Sequence, residues 1–218
     1  MSFPMQSESV LILAPHTDDA ELGCGGTIAR LIAEGRNVHV AAFSTAEASI
    51  PPGFLPGSIK LEMMLSLQSL GVPATNIHVF DFPVRKLPQF RQELLEIMVR
   101  LARSIAPDLV LIPSGDDVHQ DHQAVHAEAI RAFKCSSILG YELPWNQTAF
   151  AAQAFIELNQ SHLDAKWQAL KNYRTQLSLE RSYFSARFIE GLAQIRGVQG
   201  KFQLAEAFEV LRLRILSR

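Results

Sequence analysis

The stretch LILAPHTDDAELGCGG, residues 11–26, changes abruptly from an apolar run to a dense group of polar side chains. One histidine and three carboxylates fall within the six positions 16–21, directly after residues that are typical of a buried strand. Gly25 and Gly26 then allow the following helix to lie close to a sheet. The stretch therefore predicts a strand–helix unit with a candidate site at the strand end.

The same change from strand to helix recurs along the chain. Apolar runs predict strands at 10–14, 38–44, 77–82, 109–114, 137–143 and 154–158, and helical spacing covers 19–34, 58–70, 88–105 and 121–133. After these come a predicted helix from Ser161 to about Leu177, a second from about Phe184 to Ile195, and a last strand within 205–215. This alternation predicts a single α/β domain over 1–218, with a mostly parallel sheet covered by helices on both faces. Residues from about 159 to 218 would complete it.

Composition excludes several classes of protein. The chain has 218 residues and a formal net charge of −2, so it lacks the basic surface that nucleic acid or an anionic membrane would require. The polar segment 1–9 has no basic leader, and the apolar run 10–14 is too short to span a bilayer. Cys24 and Cys135 form neither a disulfide framework nor a cysteine-based zinc site. We therefore expect a soluble, cytoplasmic protein.

Ligands in open α/β sheets bind beyond the carboxyl ends of the strands. Polar or aromatic side chains follow five predicted strands, at 16–21, 44–47, 83–86, 115–122 and 144–146. The irregular segment 44–57 contains three prolines and two glycines, and long loops of this kind are often lids.

A second polar stretch, PSGDDVHQDHQAVH at 113–126, follows the fourth predicted strand. Histidines with aspartate neighbours are typical of zinc sites. A histidine and an aspartate after the first strand, with a histidine after the fourth, would make three ligands and leave one tetrahedral position open. His126 is interpreted as an exposed helix residue. The alternative for the first stretch is structural: Asp18 and Asp19 would cap the helix, and His16 would satisfy a backbone carbonyl.

The two motifs PHTDDAELGCGG and HQDH together resemble the PIG-L/LmbE family of zinc-dependent N-deacetylases, which act mainly on N-acetylglucosamine-type sugars. The segments LGV at 70–72, APDLVLIPS, KNYRTQ and AEAFEVLR extend the resemblance over nearly the whole chain. It implies an LmbE-like, Rossmann-like fold of three layers and a hydrolase that removes an N-acetyl group through a zinc-bound water.

The resemblance also implies the residue roles. His16, Asp19 and His122 would bind Zn²⁺, although the same donor set accepts Fe²⁺ or Co²⁺. Asp18 would be the general base, and His119 would face the developing tetrahedral centre. Asp121 would orient His119 and raise its pKa, so that a protonated His119 assists the reaction.

Two positions depart from the common pattern of the family, at Ile59 and at the pair 84–85, and both usually face the sugar in its members. Arg85 is our leading candidate for a substrate contact in their place, the alternative being a solvated surface arginine. Trp145 would stack on a sugar or pack in the core. The family's oxyanion tyrosine has no counterpart before His119, where Asp117 stands.

Three functions stay open from the sequence. The first is deacetylation of a small acetamido sugar or its conjugate, and the second is hydrolysis of another amide, such as an acylated aminoglycoside or aminocyclitol. The third is a Rossmann-like protein that holds a metal only structurally. The resemblance further suggests a homo-oligomer, a trimer or a hexamer.

Overall fold

The structure, a computed structural model, describes residues 8–215. The strands are β1 (Ser9–His16), β2 (Asn37–Ser44), β3 (Ile77–Val79), β4 (Leu109–Pro113), β5 (Ser137–Tyr141), β6 (Ala154–Leu158) and β7 (Leu204–Arg212). The helices are α1 (Asp19–Ala33), α2 (Ser58–Ser69), α3 (Arg91–Ile105), α4 (Gln120–Ala132), α5 (Gln160–Leu170), α6 (Arg174–Leu177) and α7 (Ala186–Gly200). Short 3-10 turns lie at Glu47–Ser49, Ala74–Asn76, Leu87–Phe90 and Pro144–Asn146.

All seven strands join one sheet in the order β3-β2-β1-β4-β5-β7-β6. The pairs among β1 to β5 are parallel, and β7 runs antiparallel to both β5 and β6. The predicted α/β fold with a mostly parallel sheet is thus confirmed. The prediction of a single domain over 1–218 also includes residues 1–7 and 216–218, which lie outside the described part of the chain.

The sheet is buried on both faces because successive side chains of a strand point to opposite sides. In β1, Val10 and Ile12 pack into one apolar core beneath α1, α2, α5 and α7, whereas Leu11 and Leu13 pack into a second core beneath α3 and α4. This gives the three layers that the sequence predicts. Within residues 8–215, no helix is long and apolar enough to cross a membrane.

The two polar motifs meet at the point where the strand order reverses. β1 lies between β2 and β4, and the helices that follow β1 and β4 cover opposite faces of the sheet. The connections that follow β1 and β4 therefore diverge to opposite faces of the sheet and leave a crevice between them. Such a crevice is the usual position of ligands in this architecture.

The C-terminal region differs from the sequence prediction in detail. The predicted helix from Ser161 to about Leu177 is instead two helices, because α5 ends at Leu170 and α6 begins at Arg174. Asn159, not Ser161, is the N-cap of α5: its side chain accepts a hydrogen bond from the His162 amide at 3.0 Å. β3 also ends at Val79, three residues earlier than predicted.

Helix α1 is kinked, and the C-terminal strand β7 supports the kink. Cys24 has non-helical backbone angles (φ −146°, ψ 27°). The Glu206 carboxylate of β7 accepts hydrogen bonds from the amides of Gly26 (3.0 Å) and Thr27 (2.7 Å), and pairs with Lys166 Nζ at 2.7 Å. Because these amides begin the second half of α1, the carboxylate acts as a cap for it.

The predicted close approach of α1 to the sheet is confirmed. A Cβ atom at Gly26 would lie 2.5 Å from Leu158 Cδ1, and one at Gly23 would overlap the ring of Tyr141. That ring is fully buried and is fixed by a 3.0 Å hydrogen bond from its hydroxyl to the Leu13 carbonyl. The helix thus lies close enough to the sheet to bring its first turn onto the end of β1.

Gly23→Ala tests this approach. We expect a loss of about 1–3 kcal/mol in the free energy of unfolding, because the Tyr141 ring cannot move away from the added methyl group. Gly191→Ala, in α7, is the matched control: no atom lies within 4 Å of its added Cβ, so the change should be neutral or stabilising by about 0.5–1 kcal/mol. Urea unfolding measures both, and equal effects at the two positions would contradict the close contact.

Candidate metal centre

Three ligand atoms form a nearly equilateral triangle at the crevice. His16 Nδ1 lies 3.2 Å from Asp19 Oδ2, His122 Nε2 lies 3.3 Å from the same oxygen, and the two imidazole nitrogens are 3.2 Å apart. His16 ends β1, Asp19 opens α1, and His122 lies in the first turn of α4. The geometry thus brings together the three residues that the sequence analysis names as ligands.

The triangle has the size that a tetrahedral cation requires. Bonds of about 2.0–2.1 Å to nitrogen and oxygen place neighbouring ligands of a tetrahedral Zn²⁺ about 3.3–3.4 Å apart. Three protein ligands at this spacing leave the fourth vertex open. The donor set therefore fits a divalent cation that binds a further ligand.

Two buried carboxylates fix the tautomers of the histidines. His16 Nε2 lies 2.9 Å from Asp121 Oδ2, and His122 Nδ1 lies 2.7 Å from Asp117 Oδ2. Each carboxylate accepts the ring proton on the far side of the imidazole. The nitrogen that faces the triangle is then left with a free lone pair, the arrangement found around metal-binding histidines.

The same carboxylates make the centre attract positive charge. Burial alone lowers the pKa of His16, but its hydrogen bonds to Asp121 and Asp19 outweigh burial and raise that pKa to about 9. The pKa of His122 is raised to about 10, because Asp19 and Asp117 outweigh the effect of burial. Burial would raise the pKa of Asp19, but His122 and His16 hold it well below its ordinary value. Without a metal, the cluster binds protons instead.

Asp18 lies beside the triangle and is not part of it. It occupies the N-cap position of α1, but its side chain makes no capping hydrogen bond, so the alternative in which it caps the helix is wrong. Burial, together with the neighbouring Asp19 charge, raises the pKa of Asp18 to about 6. Asp18 is thus a carboxylate that does not cap its helix and has a raised pKa of about 6.

His119 is placed beside the other two imidazoles, but its predicted partner is different. The ring centroids of His119 and His122 are 4.7 Å apart, and those of His119 and His16 are 5.0 Å apart. His119 Nδ1 accepts a hydrogen bond from the Asp121 backbone amide at 3.2 Å. The neutral ring therefore carries its proton on Nε2.

The prediction that the Asp121 carboxylate orients His119 and keeps it protonated is wrong. That carboxylate contacts His16 Nε2 and the backbone amides of Arg85 (2.6 Å) and Leu87 (3.1 Å). Burial and the two other histidines lower the pKa of His119, and the charge of Asp121 opposes this only in part. The Asp121 carboxylate does not orient His119 because it is fully buried and lies under His16.

His16, His119 and His122 each offer a ring nitrogen, and these three atoms lie within 4.8 Å of one another. We nevertheless favour Asp19 as the third ligand, because its oxygen completes the uniform spacing.

His126, interpreted as exposed, is half-buried, and its Nδ1 lies 2.8 Å from the Pro113 carbonyl.

The two predicted substrate contacts have different environments. Arg85 is exposed, and its backbone has φ +67°, a left-handed conformation that favours glycine. The backbone amide of Arg85, not its side chain, contacts the metal centre by donating a hydrogen bond to Asp121 Oδ2. Trp145 is half-buried, and its ring stacks on that of Tyr183 with centroids 3.9 Å apart and planes at 11°. One face of the Trp145 ring is therefore covered.

Sequence reasoning did not assign Asp117 a role, although its place two residues before His119 was the available signal. It also left Tyr173 out of the site. The Tyr173 hydroxyl donates to the Thr17 carbonyl at 2.6 Å and lies 2.9 Å from Glu21 Oε1. This contact anchors the C-terminal segment over the turn between His16 and Asp18.

A family comparison assigns this arrangement. The sequence profile described as "PIG-L: GlcNAc-PI de-N-acetylase" matches residues 11–133, which contain both motifs. The chain belongs to this family. The expectation drawn from the two motifs is thus confirmed, and the family is one of deacetylases.

Two relatives of this protein have names that describe them as deacetylases. The uncharacterized deacetylase YaiS of Escherichia coli (strain K12) is 27% identical over 180 residues, which are 80% of this chain and 95% of that protein. The diacetylchitobiose deacetylase of Thermococcus kodakarensis is 32% identical over 124 residues, which are 53% of this chain and 45% of that protein.

Solved structures share the fold of this PIG-L family member. N,N′-diacetylchitobiose deacetylase from Pyrococcus horikoshii has a TM-score of 0.78 at 20% identity, over 95% of this chain and 85% of its own. GalB, the 4-carboxy-2-hydroxymuconate hydratase of Pseudomonas putida KT2440, has a TM-score of 0.78 at 21% identity, over 97% and 99%. At these identities the likeness establishes the fold alone. Since one of the two is a hydratase, the fold does not select the reaction.

The Tyr173–Glu21 contact predicts a pH dependence of stability. The Tyr173 hydroxyl has one proton for two acceptors, the Thr17 carbonyl and Glu21 Oε1, so it does not offset the cost of burying an ionised Glu21. Burial raises the pKa of Glu21 from its ordinary value of 4.5 to about 8. Between these values the folded protein holds a proton that the unfolded chain releases, so stability falls as the pH rises.

Glu21→Gln should remove this dependence, because glutamine fills the same space and does not ionise. Relative to the variant, the metal-free wild type should lose up to about 1.4 kcal/mol per pH unit between pH 5 and 8. Urea unfolding in the presence of a chelator measures the difference. A difference that stays constant over this range would contradict a protonated Glu21.

Proposed function

We propose that this protein is a metal-dependent N-deacetylase that hydrolyses the acetamido group of a small sugar or sugar conjugate. The observation that carries the proposal is the triangle of His16, Asp19 and His122, with an open vertex and with Asp18 beside it. A purely structural metal site needs neither an open vertex nor a spare carboxylate. Membership of a deacetylase family supports the same conclusion.

His16, Asp19 and His122 would hold the cation, which we propose to be Zn²⁺, with Fe²⁺ or Co²⁺ as alternatives. When bound, a divalent cation supplies Lewis acidity, which acidifies water and polarises a carbonyl group. Asp117 and Asp121 keep the two imidazoles in the tautomers that leave their ligand nitrogens free.

Asp18 is the proposed general base. Its raised pKa of about 6 keeps it ionised at neutral pH while making it a stronger base than an ordinary aspartate. It would take a proton from the attacking water and hold that proton beside the scissile bond. A carboxylic acid formed there is suited to protonate the departing amine.

His119 is the proposed hydrogen-bond donor to the acetyl oxygen. Its neutral ring presents Nε2–H, because Nδ1 is occupied by the Asp121 amide. A neutral donor held in a fixed direction stabilises a developing oxyanion without a change of protonation state. The Tyr183 hydroxyl, which accepts a hydrogen bond from Arg181, keeps its own proton available for the substrate.

Arg85 and Trp145 stay proposed substrate contacts. The Arg85 guanidinium would approach a hydroxyl or an anionic group from the loop after β3. The exposed part of the Trp145 ring would contact an edge of the sugar, since its stacked face is covered by Tyr183. The cytoplasmic location and the trimeric or hexameric state also stay predictions.

Release of primary amine from a panel of N-acetyl sugars, with and without chelator, tests the reaction. We expect hydrolysis that requires the metal. Amine release only from an acylated aminoglycoside or aminocyclitol would favour an enzyme that hydrolyses another amide. Metal binding without amine release from any amide would favour a protein that holds the metal only structurally.

The roles of Asp18 and His16 are separable by substitution. Asp18→Ala should keep the metal but lower kcat by a factor of about 10²–10⁴, because the base is lost. His16→Ala should lose the metal, whereas His39→Ala, outside the centre, should change neither. Metal content after dialysis and the rate of amine release measure both effects. If Asp18→Ala loses the metal while His16→Ala keeps it, the assignment is wrong.

Metal binding should also tighten as the pH rises from 6 to 8. His16 and His122 hold protons in the metal-free protein at these pH values, and a cation must displace them in order to bind. Calorimetry with Zn²⁺ in two buffers of different ionisation enthalpy measures the protons released. Asp117→Ala should weaken binding roughly 10- to 100-fold by freeing the His122 ring. An affinity independent of pH would contradict this centre.

A further inference from the structure

The loop between α6 and α7, residues 178–185, forms one side of the metal centre. Before α6, Tyr173 is bound to the Thr17 carbonyl, one residue from Asp18. At the end of the loop, Tyr183 stacks on Trp145. The turn that contains Trp145 is in turn bound to the loop before His119, since the Val118 amide donates to the Asn146 carbonyl at 3.0 Å. The segment from Tyr173 to Tyr183, which includes α6 and most of this loop, is therefore fixed at both ends beside the crevice.

Arg181 lies in this loop, and uncharged groups hold it in place. Its Nη1 donates to the Tyr183 hydroxyl at 2.7 Å and to Gln176 Oε1 at 3.4 Å, and its guanidinium lies 5.8 Å from the Tyr183 ring centroid. The Trp145 ring fixes the plane of Tyr183 from the other side. The guanidinium is thus positioned without being neutralised.

Several other arginines of this protein, exposed or half-buried, are paired with acids, whereas Arg181, which is exposed, is not. Arg196 binds both oxygens of Glu142, and Arg91 and Arg131 share Glu128. Among residues 8–215, no carboxylate lies within ion-pair distance of Arg181, and its Nε and Nη2 have no hydrogen-bond partner there. An oriented guanidinium with free N–H groups is suited to bind a carboxylate or a phosphate.

The charge of the centre decides where such an anion would bind. The carboxylates of Asp18, Asp19, Asp117 and Asp121 carry more negative charge than one divalent cation neutralises. An anionic substituent is therefore repelled from the centre itself and needs a cation at the rim.

We propose that Arg181 binds a carboxylate or phosphate group on the substrate, so that the protein acts on acidic acetamido sugars in preference to neutral ones. This inference rests on the proposed deacetylase function and adds the class of sugar. The Tyr183–Trp145 stack acts as a positioning element for the guanidinium.

Four probes test the preference: N-acetylglucosamine, its 1-phosphate, its 6-phosphate, and the uronic acid with an N-acetyl group. For the metal-loaded wild type, we expect kcat/KM for at least one charged sugar to exceed that for the neutral sugar by about tenfold or more. The two phosphates and the uronic acid distinguish phosphate from carboxylate. Equal values for neutral and charged sugars would contradict the proposal.

Arg181→Ala should lower the ratio of charged to neutral kcat/KM roughly 10- to 100-fold, mainly through KM. The ratio is the proper measure, because an effect of the lost charge on the reaction itself is common to all substrates. Arg181→Lys, which keeps the charge but loses the planar fork, should retain part of the preference. An unchanged ratio in Arg181→Ala would contradict the proposal.

Arg187→Ala is the matched control. Arg187 is an exposed arginine at the start of α7, and its loss should leave the ratio unchanged. Arg85→Gly supplies a second comparison, since glycine tolerates the φ of +67° at that position. Loss of the preference in Arg85→Gly but not in Arg181→Ala would place the anion on the opposite side of the crevice and overturn the proposal.

A binding experiment separates this inference from the proposed reaction. In an Asp18→Asn background, calorimetry with each of the four sugars should show tighter binding of a charged sugar, and addition of Arg181→Ala should weaken it about tenfold or more. If the charged sugar binds in this way but the wild type does not hydrolyse it, the proposed deacetylase function is contradicted and the role of Arg181 is not. Hydrolysis without any difference in binding counts against the role of Arg181 alone.

Discussion

The structure around the crevice depends on one electrostatic constraint: buried carboxylates need positively charged or hydrogen-bonding partners. Asp19, Asp117 and Asp121 are each at most 5% exposed, and leaving such charges unpaired inside a protein is costly. Their partners are two imidazoles and several backbone amides, which lie at the ends of β1 and β4 and in the loop after β3. The demand for positive charge that stabilises this cluster is also what makes it a cation site.

The C-terminal third of the chain completes the environment of that cluster. Glu206 of β7 caps the second half of α1, and Tyr173 fixes the turn that precedes α1. The loop after α6 then brings Arg181 and Tyr183 to the crevice. The N-terminal motifs supply the candidate metal ligands, whereas the C-terminal segment supplies the proposed substrate-binding groups at the rim. Differences in substrate within such a fold are therefore expected in this segment.

A shared fold leaves the reaction open, since a deacetylase and a hydratase both superimpose on this chain with a TM-score of 0.78. The site narrows the choice. The open vertex, the carboxylate of Asp18 and the neutral Nε2–H of His119 meet the needs of amide hydrolysis, namely a base, an oxyanion donor and a Lewis acid. Family membership and local chemistry support the same reaction, and each is independent of the overall likeness.

The sequence by itself determined the strand–helix alternation, the mostly parallel sheet and the three ligand candidates. These follow from local patterns: apolar runs of strand length, helical spacing, and polar residues directly after strands. A histidine and an aspartate after β1 could be placed beside a histidine after β4, because parallel strands bring their carboxyl ends to one edge. The resemblance to the family then named His16, Asp19 and His122. The division of α5 from α6 could not be predicted, because it is set by the contact of Tyr173 with a distant turn.

Only the tertiary structure decided which carboxylate forms a hydrogen bond with which histidine. Asp121 is adjacent to His119 in sequence but lies under His16, because the first turn of α4 points its side chain toward β1 and the loop at Arg85. Asp117 takes the other ring, that of His122. The pairing of Tyr183 with Trp145 and the position of Arg181 were equally inaccessible, since they depend on how the C-terminal segment folds back across the sheet. Contacts between residues far apart in sequence have no local signal, and they decide the fine structure of this site.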